Sequence, residues 1–271
     1  MNSGTNALPL YGRTFFEELE ASSFSSAQVA IPLLTALMDV QSAVDVGCGV
    51  GTWLRALMAH GVSDVTGIDG DYVDRQWLQV PHDRFLPMDL RRPFALDRRF
   101  DVALSLEVAE HLPAECAEGF VDSLVRLAPV ILFSAAIPFQ RGICHLNEQW
   151  PEYWASIFKR HGYIPIDCMR SHLWNDPRVA WCYAQNILVY ANEEGLSKNP
   201  QLARFQVASS QLPLSVVHPT KYLNVADPRL RGFRDSLRFS AVPAKRAFLE
   251  ALKRVVRNFR SRYSSMRMRT S

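Results

Sequence analysis

Residues 43–54, Ala-Val-Asp-Val-Gly-Cys-Gly-Val-Gly-Thr-Trp-Leu, decide the fold of this chain. An apolar run is followed by Gly47, Gly49 and Gly51, and a helical pattern begins at Thr52. Glycine is needed where the backbone takes a positive φ, or where a ligand approaches the main chain closely. The stretch therefore predicts a buried strand, a tight ligand-binding turn and the first turn of a helix.

The spacing of these glycines is informative, because the pattern is Asp-x-Gly-x-Gly-x-Gly from Asp45 to Gly51. The dinucleotide-binding fingerprint Gly-x-Gly-x-x-Gly would place its third glycine at position 52, which is Thr52 here. The pattern thus disfavours a nicotinamide-dependent oxidoreductase. It resembles the first motif of class I S-adenosylmethionine-dependent methyltransferases. In that family the glycine loop lies against the methionine part of the cofactor, and the acidic residue neighbours its amino group.

Further apolar segments follow this loop, and helical patterns alternate with them, which predicts a parallel sheet with ligands at the carboxyl ends of its strands. The resemblance extends over roughly residues 25–190. It implies an α/β fold with a Rossmann-like, mostly parallel, seven-stranded sheet, helices on both faces and an antiparallel last strand. The segments that predict the other six strands are 64–69, 85–90, 100–107, 130–133, 163–169 and a stretch within 183–190.

Acidic residues stand at the ends of the second and third of these strands. Asp69 lies 18 residues past Gly51, and an acid at this place can accept two hydrogen bonds from a ribose diol. Asp89 matches the family's contact with the adenine amino group. The cofactor-binding residues that the resemblance implies are Asp45, Gly47, Gly49, Gly51, Asp69, Asp89, Leu90, Leu106 and Glu107.

A cluster of titratable residues, Glu107, Glu110 and His111, follows the fourth strand. If Glu107 opens a helix, the other two lie one turn along. Two carboxylates and an imidazole suit Mg²⁺ or Mn²⁺. This Glu-x-x-Glu-His resembles the metal-binding motif of small-RNA 3′-terminal 2′-O-methyltransferases and of ubiquinone-pathway O-methyltransferases. In the RNA enzymes a histidine after the fifth strand completes the site, and His145 stands in a comparable place.

The same residues have a metal-free interpretation, because Glu-His-Leu also follows the fourth strand in superfamily members that need no metal. There the glutamate caps a helix and the histidine, here His111, packs near the substrate. We expect His111 and His145 to face the acceptor. His145 is the preferred general base, because an imidazole titrates near neutral pH.

The loop that contains His145 indicates the class of acceptor. Its sequence His-x-Asn-Glu-Gln-Trp-Pro-x-Tyr-Trp (residues 145–154) resembles bacterial methyltransferases associated with surface-polysaccharide biosynthesis. This implies O-methylation of a sugar hydroxyl on a glycan or lipid-linked precursor. An RNA 2′-O-methyltransferase, a small-molecule methyltransferase and a cofactor-binding scaffold without catalysis are the alternatives.

Composition indicates the class of protein and the cellular compartment. The chain has 271 residues, 48% hydrophobic and 21% charged, as in soluble globular proteins. No apolar run has the length of a bilayer span. The five cysteines are scattered and never form Cys-x-x-Cys, which favours free thiols in a reducing compartment. We expect a cytoplasmic protein, with peripheral attachment to the inner membrane face as an option.

The expected organisation is an N-terminal arm (1–22), a methyltransferase domain (23–192), an extended arm (193–240) and a basic amphipathic tail helix (241–271). The pattern predicts two N-terminal helices, at 11–20 and 27–38. Hydroxyl groups within 23–26 are expected to cap the second helix.

The tail holds nine of the thirty Lys and Arg residues but one acid, which leaves the rest of the chain at a net charge of −5. A basic amphipathic helix indicates an anionic membrane surface or an acidic partner. Its apolar stripe could equally dock on the protein's own body. Nucleic acid is disfavoured as a partner because the body is acidic.

Overall fold

The computed structural model describes residues 13–206 and 213–226 of the chain. The predicted tail helix at 241–271 lies outside the described residues. Within them, seven strands form one sheet. In chain order the strands are β1 Ser42–Val46, β2 Asp64–Asp69, β3 Phe85–Pro87, β4 Val102–Leu106, β5 Val130–Ser134, β6 Ile164–Ile166 and β7 Leu188–Ala191.

Helices connect these strands and follow the last of them. The α-helices are α1 Arg13–Leu37, α2 Thr52–Ala59, α3 Ala117–Leu127, α4 Pro151–Arg160, α5 Arg170–Leu173, α6 Trp181–Asn186, α7 Glu193–Lys198, α8 Pro200–Ala203 and α9 Pro219–Ala226. Short 3-10 turns occur at Arg75–Trp77, His82–Arg84, Ala109–His111 and Ala114–Cys116. No helix in the described ranges combines the length and apolar character needed to cross a membrane.

The strand order in the sheet is β3-β2-β1-β4-β5-β7-β6. The first five strands of this order pair in parallel, and β7 runs antiparallel to both β5 and β6. This confirms the predicted mostly parallel sheet with an antiparallel last strand. The order also places the carboxyl ends of β3, β2, β1 and β4 side by side at one edge of the sheet.

Successive residues of a strand point to opposite faces of the sheet, and helices bury both faces. Ala43, Leu104 and Leu132 belong to the hydrophobic core beneath α1 and α2. Val44 and Ala103 belong to the core on the other face, beneath α3 and α4. Continuous apolar strands are typical of a parallel sheet that helices cover on both sides.

The prediction of two N-terminal helices was wrong, because α1 is one continuous helix from Arg13 to Leu37. The hydroxyl expected to cap a second helix lies inside α1. Ser26 Oγ donates to the backbone oxygen of Ser22, at 2.8 Å, and accepts from the N–H of Ala180, at 2.9 Å. A serine hydroxyl can bond to the carbonyl four residues back instead of capping, so the residue type alone did not locate a helix start.

The prediction of an extended arm after residue 192 was also wrong where the structure describes it. Two short helices, α7 and α8, directly follow β7. The Asn192 side chain accepts from the N–H of Gly195 and so caps α7. A second compact unit begins at Pro219, and α9 is its described part.

Candidate cofactor and acceptor site

A cavity of about 940 Å³ lies at the carboxyl ends of β1, β2, β3 and β4. This volume is within the range of small-molecule sites. Predicted cofactor residues on its wall are Gly47, Asp69, Asp89, Leu90 and Glu107, and the predicted catalytic residue on its wall is His111. Asp45, Gly49, Gly51, Leu106 and His145 are not part of the wall.

The glycine loop between β1 and α2 has the backbone shape that its sequence predicts. Gly47, Gly49 and Gly51 have φ values of 86°, 54° and 88°, a region that favours glycine. The N–H of Gly49 donates to Asp69 Oδ2 at 2.7 Å. The loop is therefore fixed to the end of the neighbouring strand β2, beside the cavity.

Asp69 is buried, with 5% of its surface exposed, and its carboxylate accepts three hydrogen bonds. The donors are the N–H of Gly49, the N–H of Gly70 at 2.6 Å and the phenol of Tyr72 at 2.5 Å. Loss of water around the hydroxyl, and then the charge of Asp69, raise the pKa of the Tyr72 phenol although most of the side chain is exposed, so the phenol stays protonated and acts as a donor. Sequence reasoning did not identify Tyr72, because an aromatic residue in a loop carries no recognisable pattern.

Asp45 lies at the end of β1 and is 3% exposed. Burial, and secondarily the charge of Asp69, raise the pKa of its carboxyl to about 8. A neighbouring positive charge would favour the ionised form. The methionine amino group of S-adenosylmethionine would supply such a charge, so the residue type and its environment fit that cofactor.

Asp89 follows β3 and is held by Arg91, whose Nε and one terminal nitrogen donate to the two carboxylate oxygens at 2.8 and 2.9 Å. Arg91 lowers the pKa of Asp89. Because a carboxylate has about four acceptor positions, this bidentate pair leaves Asp89 able to accept from an adenine amino group.

Glu107 follows β4 and has a φ of 56°, which is uncommon for a residue with a side chain. Gln140 Nε2 donates to one carboxylate oxygen at 2.7 Å, and Asn186 Nδ2 donates to the other at 3.0 Å. Asn186 also donates to Gln140 Oε1 at 2.9 Å, and Gln185 donates to both of these amides. Burial raises the pKa of Glu107, while the hydrogen bonds from Asn186, Ser134 and Gln140 oppose the rise.

The expected helix from Glu107 is absent, because a 3-10 turn, Ala109–His111, begins two residues later. Ligand atoms of Glu110, His111 and His145 nevertheless lie within 4.8 Å of one another. Glu107 is outside this group, since Gln140 and Asn186 engage its carboxylate. Of the four predicted metal ligands, the structure brings three together.

Glu110 is fully buried, and neither carboxylate oxygen has a hydrogen-bond partner among the described residues. Burial raises the pKa of Glu110 well above its ordinary value, and the charge of Glu107 adds to this effect. The backbone N–H groups of Glu110 and Ala136 oppose the rise without forming well-aligned hydrogen bonds to the carboxylate. A buried carboxyl without partners costs free energy unless it is protonated or meets a cation. The environment of Glu110 therefore fits a divalent cation held with the two histidines.

The two histidines meet edge to face, with ring centroids 4.8 Å apart. His111 lies on the cavity wall with part of its surface exposed. Loss of water around the imidazole, followed by the charge of His145, lowers its pKa, while hydrogen bonds with the backbone of Cys144 and Ile143 oppose this shift. His145 Nδ1 lies 2.8 Å from Glu148 Oε1, an oxygen that also accepts from the N–H of Arg141 at 2.6 Å. His145, the residue expected to be the general base, does not line the cavity. It packs against His111 from the adjoining loop instead, and Glu148 fixes its orientation.

Comparison with known proteins adds independent findings. A family model described as a methyltransferase domain matches residues 19–169, more than half of the chain. A search among curated proteins finds no match. Many solved structures match, and the sugar N-methyltransferase KedS8 from a Streptoalloteichus species has a TM-score of 0.51 at 17% identity. The match covers 71% of this chain and 98% of KedS8.

Two further solved structures have somewhat lower scores. CalS10, an amino pentose methyltransferase from Micromonospora echinaspora, has a TM-score of 0.48 at 17% identity, over 68% of this chain and 98% of its own. The magnesium protoporphyrin IX methyltransferase of Synechocystis has a TM-score of 0.47 at 18% identity, over 68% of this chain and 85% of its own. At 17% identity the likeness to KedS8 shows the fold alone, and the family model establishes membership. The chain belongs to the class I S-adenosylmethionine-dependent methyltransferase family.

Proposed function

We propose that this methyltransferase acts on a sugar hydroxyl, on a glycan or a lipid-linked precursor. The observation that supports a hydroxyl acceptor is His111, an imidazole on the cavity wall whose pKa is lowered by its surroundings in the protein and by His145. The choice of a sugar is supported by the sequence of residues 145–154. An imidazole that is neutral at physiological pH can accept the proton that a hydroxyl loses when its oxygen is methylated.

The strand order supports a position for the acceptor. Asp89, after β3, would hold the adenine, and Asp69, at the end of β2, would hold the ribose. Asp45 and the glycine loop after β1 would hold the methionine part, and Leu90, which lines the cavity, would contribute apolar contacts. The next strand end in the sheet is that of β4, where Glu107 and His111 stand. The acceptor is therefore assigned to the β4 side of the cavity.

The residues on this side have complementary tasks. When bound, S-adenosylmethionine would supply an electrophilic methyl group, whose bond to the positively charged sulfur breaks as the bond to the acceptor oxygen forms, leaving S-adenosylhomocysteine. Glu107, fixed by Gln140 and Asn186, accepts hydrogen bonds from acceptor hydroxyls and orients the nucleophilic oxygen. His111 takes the hydroxyl proton as the new carbon–oxygen bond forms. His145 and Glu148 keep the imidazole of His111 in place.

A metal-assisted variant of the same reaction is favoured by one observation, the fully buried Glu110 without a hydrogen-bond partner among the described residues. Mg²⁺ or Mn²⁺ bound by Glu110, His111 and His145 would use a nitrogen of His111 as ligand. The two variants therefore assign His111 different tasks. In one it accepts a proton, and in the other it holds a cation that lowers the pKa of the acceptor hydroxyl.

The lipid-linked option has support from charge alone. Residues 241–271 hold nine basic side chains and one acid, and clusters of this kind favour anionic membrane surfaces. We therefore include a membrane surface beside the glycan acceptor among the proposed partners of this chain.

The acceptor class is tested by incubating the enzyme with methyl-labelled S-adenosylmethionine and four acceptor sets: nucleotide sugars, lipid-linked glycans, RNA 3′ ends and small amines. We expect label in the sugar sets, in an ether that survives mild base. Label confined to RNA or to amines would contradict the proposal. Label in none of the sets, although the cofactor binds, would favour a scaffold without catalysis.

The two variants of the mechanism are separated by titrating Mn²⁺ calorimetrically into wild type, Glu110→Gln and the control Glu115→Gln. Metal binding that is lost in Glu110→Gln alone supports the metal-assisted variant. Methyl transfer that persists in the presence of a chelator supports His111 as the proton acceptor.

A further inference from the structure

The hydrogen bonds of Asp69 conflict with its expected task. A carboxylate offers about four acceptor positions. Gly49 N–H, Gly70 N–H and the Tyr72 phenol occupy three of them. A ribose diol donates two hydrogen bonds, so one of the three donors must leave before the diol can bind in full.

The mobile member of the three is Tyr72. The Gly49 N–H belongs to the loop that joins β1 to α2, and the Gly70 N–H belongs to the residue directly after Asp69. Both backbone donors are therefore held in place by the chain. Tyr72 is 80% exposed, although it lines the cavity, so its side chain can turn towards solvent without opening the core. The phenol is therefore the donor that can be replaced at the lowest cost.

The chain is shaped to let this ring approach Asp69. A Cβ atom on Gly70 would lie 2.1 Å from Cε1 of Tyr72, so the ring rests directly on the glycine backbone. A turn closed by the hydrogen bond from Val73 N–H to Gly70 O, at 3.2 Å, returns the chain over Asp69. Any larger residue at position 70 would hold the phenol away from the carboxylate.

We propose that the Tyr72 phenol occupies a ribose-binding position of Asp69 and is displaced by the cofactor's ribose, so that Tyr72 sets the cofactor affinity. A ribose hydroxyl replaces the Tyr72 phenol as a neutral donor to the carboxylate, and the released phenol rotates into the solvent. The exchange satisfies Asp69 in both states. Its net effect is to weaken cofactor binding by the cost of breaking the phenol contact. The exchange takes place in the cofactor site and does not depend on the acceptor.

The test is Tyr72→Phe in the full chain, with binding of S-adenosylhomocysteine measured by calorimetry. Removing the hydroxyl removes the competitor and keeps the ring, so we expect binding to tighten about tenfold, as for one hydrogen bond to a charged group. The matched ligand pair is 5′-methylthioadenosine and its 2′,3′-dideoxy analogue. The substitution should strengthen binding of the first and leave the second unchanged, because only the first places hydroxyls on Asp69.

A structural readout separates displacement from a general loosening of the loop. In protein with ring-labelled tyrosine, the resonance lost in Tyr72→Phe is that of Tyr72. We expect this resonance to move when S-adenosylhomocysteine binds and to stay in place with the dideoxy analogue. Unchanged or weaker binding of S-adenosylhomocysteine in Tyr72→Phe, with unchanged thermal stability, would overturn the proposal. So would equal gains for the two thioadenosines.

Discussion

A Cβ atom on Gly47 would lie 2.3 Å from Cγ2 of Val108. The turn after β1 and the turn after β4 are therefore in direct contact, with no room for a side chain between them. Gly47 also has a φ of 86° and donates its N–H to the backbone oxygen of Ile68 at 2.7 Å. One glycine thus joins the ends of three neighbouring strands.

Gly47→Ala is expected to destabilise the protein more than its backbone conformation alone would require. Positive φ costs a non-glycine residue about 1–2 kcal/mol, and steric overlap with Val108 adds about 1–3 kcal/mol. Gly61→Ala is the matched control, because Gly61 has a φ of 91° and open space around its missing Cβ. Chemical denaturation measures the free energy of unfolding of both variants. Equal losses of stability would show that the Val108 side chain moves aside at no cost.

The Asp45 carboxyl gives the protein without cofactor a predictable pH dependence. Its pKa is about 8 in the folded protein against an ordinary 3.8. Because the folded pKa is raised, the stability that this group contributes is complete below about pH 4 and is lost as the pH rises through 8. We expect the stability of Asp45→Asn relative to wild type to increase across that window. The full effect is on the order of 5 kcal/mol, from about 1.4 kcal/mol per pKa unit.

The same group should release a proton when the cofactor binds. At pH 7 Asp45 is mainly protonated, and the cationic methionine end favours the ionised form. Calorimetry in buffers of different ionisation enthalpy should then report roughly one proton released per cofactor. Asp45→Asn should bind more weakly and release none. A binding enthalpy of wild type that does not depend on the buffer would contradict this.

If the neutral imidazole of His111 accepts the proton, methyl transfer should show an acid limb in its pH profile. The pKa of His111 is lowered, first by loss of water around the imidazole and then by His145, so activity should decline only below the ordinary histidine range. Since the charge of His145 contributes to the lowering, His145→Asn should move the acid limb to higher pH. A limb that stays in place would show that another group accepts the proton.

A side chain at position 142 is expected to slow methyl transfer indirectly, by moving His145. A Cβ atom there would lie 2.0 Å from Nε2 of His145, so Gly142→Ala should displace the imidazole from Glu148 and His111. A displacement near 1 Å lowers rates by roughly 100-fold, and cofactor affinity should be unchanged. Leu146→Ala, an exposed position in the same loop, is the control. A parallel loss of cofactor affinity would indicate general loop damage instead.

The hydrogen bond from Ala180 to Ser26, inside the continuous helix α1, can be tested through its contribution to stability. Ser26 is fully buried and accepts the N–H of Ala180, so Ser26→Ala leaves this partly buried donor without its partner, at a cost of about 1 kcal/mol. Thr35→Ala removes a hydroxyl that bonds only within α1, to Ile31 and Pro32. Denaturation should show the smaller loss for Thr35→Ala.

The fold could be predicted from sequence because each cue was local. The glycines after β1 and the alternation of apolar segments with helical patterns predicted a parallel sheet, and the family resemblance implied its seven strands. The partners of Glu107 could not be predicted, because Gln140 and Asn186 lie 33 and 79 residues away. Hydrophobic periodicity carries no information about which buried amides meet. Tyr72 was missed for a different reason, because its contact with Asp69 depends on the absence of a side chain at the neighbouring Gly70.

Helix α6 joins parts of the molecule that are distant in sequence. Its Tyr183 hydrogen bonds Ser23 of α1 at 3.0 Å and meets the Trp53 ring of α2 edge-on, with centroids 5.2 Å apart. One turn later, Asn186 holds Glu107. A shift of α1 would therefore reach the acceptor side of the cavity through one rigid turn. Engineering a changed acceptor range should accordingly include the inner face of α1, where substitutions adjust the cavity without entering it.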